Sequence, residues 1–251
     1  MSPSPQTDST ETDFFYDAYN RDDIAYGLEP SAALAAYLSQ VKLPRSSKHR
    51  AIDLGAGAGR DTLALAAAGY DVESVDLSER GLARIAERAA HRDLADHVTT
   101  RLADVRKIDF PAGAYDAVIA TTVLDHIPSD DAKTVWQRMC DSLSETGFLY
   151  VQVHTTEDPG SGCPPGNTSS APVSETAGAV INYFRPNQLA AMAVAAGAKL
   201  RILRYEERLE WDYTHGPEHQ HGKAVLLAVR SGYHPPWYGQ PAAFPRSENA
   251  T

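Results

Sequence analysis

The chain has 251 residues, 43% hydrophobic and 22% charged, which suits one large globular domain with a full core or two small ones. Its mean hydropathy is negative, and no apolar run approaches the roughly 18 residues of a membrane span, so neither a span nor a hydrophobic anchor is expected. Lysine plus arginine is 23 and aspartate plus glutamate 33, a net charge of −10 that repels phosphate and argues against DNA, RNA or anionic membranes as partners.

The first residues, MSPSPQTDSTETD, are polar and acidic and carry no basic or apolar leader pattern, so a cytoplasmic protein with a tail over residues 1–13 is expected. Residues 14–230 read as a single domain, and the Pro-rich stretch 231–251 as a second tail. Five aromatics crowd FFYDAYNRDDIAY, and GLEPSAALAAYLSQV reads as a helix with Pro30 in its first turn. Apolar strands then alternate with helices. Strands are expected at 51–54, 71–76, 98–102, 115–120 and 147–154, with helices at 60–68, 79–91 and 130–143. That order predicts an α/β fold, a Rossmann-like doubly wound sheet of seven mostly parallel strands. Residues 155–180, rich in Gly, Pro, Ser and Thr, form a lid-like insert. A helix over 186–196 and strands at 200–212 and 223–229 follow, the last two joined by the turn THGPEHQHG into a C-terminal antiparallel hairpin. Cys140 and Cys163 have no CxxC partner, so neither a disulfide framework nor a thiolate zinc site is expected.

The segment AIDLGAGAGRDTLALAAAGYDVESVD passes from a strand through glycines at 55, 57 and 59 into a helix and a second strand. Bare backbone followed by a helix N-terminus is a nucleotide-type cradle. The dinucleotide fingerprint calls for glycine at position 60, where Arg60 stands, and Asp53 would repel a pyrophosphate but attract an ammonium or sulfonium. Asp76, ending the second strand, can accept both ribose hydroxyls, and Asp104 after the third can meet an adenine amino group.

With DLGAGAGRD, Asp76, the AD pair at 103–104 and YDAVIATTVLDHIP, the chain resembles the class I S-adenosylmethionine-dependent methyltransferases over roughly residues 16–230. The resemblance implies S-adenosylmethionine as cofactor and S-adenosylhomocysteine as product. It implies cofactor contacts at Asp53, Gly55, Ala56, Gly57, Arg60, Asp76, Leu77, Ala103, Asp104, Val105 and Thr121. Many members carry cysteine where Ala56 stands. YDAYNRDDIAYGLEP is similar to the N-terminal segment of the tellurite-resistance and related small-molecule methyltransferases, which would add Tyr19, Tyr26 and Glu29 to the site; the alternative is aromatic packing of a helix on the sheet.

Methyl transfer from a sulfonium requires alignment, exclusion of water and, for a weakly acidic acceptor, a base. Histidine suits that role near neutral pH. His126 follows the fourth strand, His154 ends the fifth, and His215, His219 and His221 lie in the turn after the sixth, so all five belong at one sheet edge. The catalytic candidates are His154, His126 and His215; His215, His219 and His221 are also candidate ligands for a divalent metal. Asp125, Glu157 and Asp158 are expected to solvate loops, Asp212 to be available to orient an imidazole, and Arg185 to bind a carboxylate or cap a helix. The expected function is methyl transfer to a small molecule. The alternatives are transfer to a soft inorganic or thiol nucleophile, or cofactor and metal binding without transfer. A nucleic-acid substrate fits least, since TTVLDH stands where an NPPY-like motif would.

Overall fold

The computed structural model describes residues 29–44, 47–162, 180, 182–212 and 218–235. In chain order these form α1 (Ala32–Leu38), β1 (Arg50–Leu54), α2 (Arg60–Ala67), β2 (Asp71–Asp76), α3 (Glu79–His91), a 3₁₀ turn (Ala95–His97), β3 (Val98–Leu102) and β4 (Tyr115–Thr121). Then come α4 (Ser129–Ser142), β5 (Leu143–His154), α5 (Gln188–Val194), β6 (Leu200–Asp212) and β7 (His219–Arg230). The seven strands form one sheet in the order β3-β2-β1-β4-β5-β7-β6. The first five run parallel, while β7 lies antiparallel between β5 and β6. This is the Rossmann-like sheet with a C-terminal hairpin that the alternation of elements predicts.

The core divides by the two-residue period of the strands. Ile52, Leu54, Val118, Leu149, Val151 and Leu226 face one side, where α4 and α5 cover them with Val135, Trp136, Met139 and Leu189. Ala51, Val72, Ile119, Phe148, Tyr150 and Val225 face the other, packing with Leu34 and Tyr37 of α1 and Leu65 of α2. Both faces of the central strands are therefore dry, which explains why β7 reads as the continuous apolar run AVLLAV. Helix α3 is capped by Ser78, whose hydroxyl accepts from the Gly81 N–H at 3.1 Å. Its Arg88 donates to the Ala58 carbonyl at 2.6 Å, tying the helix to the glycine loop.

Several boundaries differ from the sequence expectation. Helix α1 starts two residues beyond Pro30, with Ser31 as its N-cap. Strand β5 starts at Leu143, inside the expected end of a helix, because Leu143 pairs with Tyr115 before a register shift brings Phe148 opposite Ala117. Strand β7 starts four residues before Lys223: Asp212 pairs with His219 and Glu210 with His221, so these two histidines are strand residues and not turn residues. Cys140 is buried, and burial pushes its thiol up to about 12. No described helix is long and apolar enough to cross a membrane.

Ile119 lies in β4 with no exposed surface. Replacing it with alanine is expected to destabilise the fold by about 2–5 kcal/mol in urea denaturation, against about 0.5 kcal/mol or less for Trp211→Ala at a half-exposed site on β6; equal losses would contradict this assignment of the core.

Candidate functional site

Beyond the end of β1 the chain turns through Gly55, Gly57 and Gly59, all left-handed at φ 64°, 53° and 86°. A Cβ at Gly55 would stand 2.5 Å from Val123, so the loop needs glycine for both conformation and space. Asp76 fixes the loop from the neighbouring strand: one carboxylate oxygen accepts from the Gly57 N–H at 2.8 Å, the other from the Ser78 N–H at 2.7 Å. Around this turn opens a cavity of about 400 Å³, within the usual range for small-molecule sites. Asp53, Gly55, Ala56, Gly57, Arg60, Asp76, Leu77, Ala103, Asp104, Val105 and Thr121 all line it, together with His126. Residues separated by up to 73 positions in the sequence are thus brought together by the parallel order of β1, β2, β3 and β4. Tyr19 and Tyr26 lie outside the described residues; Glu29 is exposed and does not line the cavity.

The cavity floor is acidic. Asp53 is buried and accepts a hydrogen bond from Thr62 at 2.6 Å, while Thr62 also pairs with Ser74 at 2.9 Å. Burial, reinforced by the nearby Asp61, pushes the Asp53 carboxyl up to about 8. Asp61, which the motif analysis passed over, is itself buried. One of its oxygens accepts from Thr121 at 2.7 Å; the other has no hydrogen-bond partner among the described residues and lies 3.5 Å from Arg60 Nε. A bound cation is the natural complement of such a pair of carboxylates. Its only sequence signal was its place directly after Arg60 at the start of α2. Asp104 is held by Arg106 through a two-pronged pair at 2.9 and 2.7 Å, and that hydrogen bond keeps its carboxyl below the usual range.

A second polar cluster occupies the adjoining end of the sheet. His154 ends β5, and its Nδ1 lies 2.5 Å from Asp125 Oδ2, which also accepts the His154 backbone N–H at 2.9 Å. Burial alone would raise the Asp125 carboxyl, but His126 and the hydrogen bond from His154 outweigh it and hold it low. Among the described residues His154 Nε2 is buried without a hydrogen-bond partner. The His126 ring lies 6.1 Å from that of His154, and the His221 ring 4.7 Å from it. His221 Nδ1 meets Asp158 at 3.0 Å, and its Nε2 meets His219 Nε2 at 3.0 Å. Burial lowers the pKa of His221 despite the Asp158 hydrogen bond, with His154 and Lys223 acting in the same direction.

Two sequence expectations are corrected here. Asp125 and Asp158 do not solvate loops: they are 0% and 4% exposed and serve as histidine partners, whereas Glu157 is exposed as expected. Their roles depend on pairing between residues 29 and 63 positions apart, which no local pattern records. The start of the insert at 155–162 packs on β7, with Thr155 N–H donating to the Gly222 carbonyl at 2.8 Å. Residues 163–179, including Cys163, lie outside the described residues, as does His215. Arg185 is exposed, and its N–H is accepted by Gln188 at 3.0 Å.

The sheet order and the acid-lined glycine turn define a nucleotide-type site on a Rossmann-like domain. Residues 51–147 match the family described as a methyltransferase domain. It is similar to the probable S-adenosyl-L-methionine-dependent methyltransferase TehB of Haemophilus influenzae, with 28% identity over 110 residues, covering 43% of this chain and 37% of that protein. It is also similar to the 27-O-demethylrifamycin SV methyltransferase of Amycolatopsis mediterranei, with 31% identity over 87 residues, 34% of this chain and 32% of the other. The matched segment thus spans about a third of each curated relative. Among solved structures, TehB superposes with a TM-score of 0.61 at 20% identity, covering 87% of this chain and 66% of that one. The 1,6-didemethyltoxoflavin-N1-methyltransferase of Burkholderia thailandensis gives 0.56 at 20% identity, covering 88% and 80%.

The raised carboxyl at Asp53 has a stability consequence with a fixed sign. An acid whose folded pKa of about 8 exceeds its unfolded value near 4 stabilises the fold only while protonated, so its contribution falls as pH rises from about 4 through about 8. Between pH 5 and pH 9 the melting temperature of the ligand-free protein is expected to fall more steeply than that of Asp53→Asn, whose amide stays neutral. Parallel curves in a calorimetric pH series would contradict the buried, raised carboxyl.

Proposed function

We propose that the cavity at the glycine turn binds S-adenosylmethionine and that the protein transfers its methyl group to a small-molecule acceptor. The observation that carries this reading is the convergence of the Gly55–Gly59 turn, the Asp53–Asp61 pair and Asp76 on one cavity within the matched methyltransferase domain. In this reading Asp53 and Asp61 receive the amino-acid and sulfonium end of the cofactor, where two carboxylates in a dry floor favour positive charge. Asp76, already oriented by two backbone N–H groups, accepts the ribose hydroxyls. Leu77 and Val105 flank the adenine, with Asp104 at its amino group.

The acceptor is a weakly acidic hydroxyl or amine, and the Asp125–His154 pair supports that choice over a soft inorganic or thiol nucleophile. Asp125 at Nδ1 fixes the tautomer that leaves Nε2 with its lone pair available. The acceptor atom attacks the methyl carbon in line as the carbon–sulfonium bond breaks. The electron pair stays on sulfur to give S-adenosylhomocysteine, and the acceptor's proton passes to His154. His126, on the cavity wall one residue from Asp125, borders the acceptor space. A relative named for methylating an oxygen of demethylrifamycin is consistent with an oxygen acceptor, and the net charge of −10 favours a small acceptor over a nucleic acid.

Asp76→Ala is expected to reduce S-adenosylmethionine affinity by at least tenfold in calorimetry; unchanged affinity would refute the assignment of the cavity. With a panel of phenols, alcohols, amines, thiols and oxyanions, S-adenosylhomocysteine should form only with an acceptor present. His154→Gln should lower turnover about 10²- to 10⁴-fold while cofactor affinity stays within about twofold. An unaltered rate across pH would remove His154 as the base.

A further inference from the structure

We infer that Asp212, His219 and His221 form a binding site for one divalent first-row transition ion, with Asp158 orienting His221 at its Nδ1. The sequence pointed to the histidines of the turn; the structure selects a different set, built across two strands. Asp212 stands opposite His219 in the antiparallel register of β6 and β7, and His221 follows two residues on, so period-two alternation puts all three side chains on one sheet face.

Their candidate ligand atoms lie within 4.8 Å of one another. His219 Nε2 and His221 Nε2 are 3.0 Å apart, and Asp212 Oδ2 is 4.0 Å from His221 Nε2. Two imidazole nitrogens on one tetrahedral ion, each bound at about 2.0–2.1 Å, stand about 3.3 Å apart, so little movement is needed to admit it. A set of two imidazoles and one carboxylate matches zinc, iron(II) and their neighbours better than magnesium or calcium.

The surroundings match those of a metal-binding histidine. Asp158 accepts at His221 Nδ1 and also accepts the Gly222 N–H at 3.0 Å, which directs Nε2 toward the ion. That contact depends on glycine at 222, since a Cβ there would stand 2.4 Å from the Asp158 backbone nitrogen. His219 and His221 are buried while Asp212 is partly exposed, which leaves a protected pair with a route inward. Three protein ligands leave a fourth position for an exogenous group. On the reading proposed above, that position receives the acceptor's hydroxyl beside His154, and the ion lowers its pKa.

Untagged protein stripped with a chelator and titrated with Co²⁺ alone is expected to develop a visible ligand-field band saturating at one ion per chain, and Zn²⁺ should displace it. Asp212→Ala and His219→Ala should each weaken Co²⁺ at least tenfold, and Asp158→Asn roughly 10- to 100-fold. S-adenosylmethionine affinity should stay within about twofold in Asp212→Ala, whose partly exposed position makes it the deciding variant if His219→Ala does not fold. Absence of the band, or variants that bind Co²⁺ like the parent, would overturn the site while leaving the cofactor assignment standing. Loss of S-adenosylmethionine binding by the unaltered protein would overturn only the methyl-transfer reading.

Discussion

The antiparallel insertion of β7 between β5 and β6 governs the chemistry of the whole sheet edge. Parallel strands carry their carboxyl ends to one side, which brings the Gly55 turn, Asp76, Thr121 and His154 together. An antiparallel strand reverses this and delivers its start to the same edge, so His219 and His221 arrive beside His154. The register sets the rest: Lys223 lies opposite His154, and Asp212 opposite His219. A slip of one residue in β7 would turn both histidines to the opposite face and move Ala224 and Leu226 from one core layer to the other.

Two kinds of buried carboxylate share this edge. Asp125 and Asp158 are kept ionised by histidines and backbone N–H groups that offset the cost of burial. Among the described residues Asp53 has no cationic contact of comparable strength and is driven toward its neutral form, and an oxygen of Asp61 beside it has no hydrogen-bond partner. The first pair has its charge compensated by histidines, with one Asp125 oxygen left without a hydrogen-bond partner among the described residues; the second would be compensated by a bound positive group. Physical chemistry thus separates a preorganised proton-handling group from a cation-receiving floor at adjoining strand ends.

The sequence by itself determined the strand-helix alternation, hence the sheet class, and through the three glycines, Asp76 and Asp104 it marked the cavity wall. These features are local: backbone conformation, turn chemistry and period-two burial are written within a few residues of where they act. Tertiary structure alone decided which carboxylate serves which histidine. Asp125 with His154, Asp158 with His221 and Asp212 beside His219 are partnerships across loops and strands, and in the sequence Asp125 and Asp158 look like ordinary loop polars. Only strand register, together with the close approach that Gly222 allows, brings these acids to their histidines and buries Asp125 and Asp158.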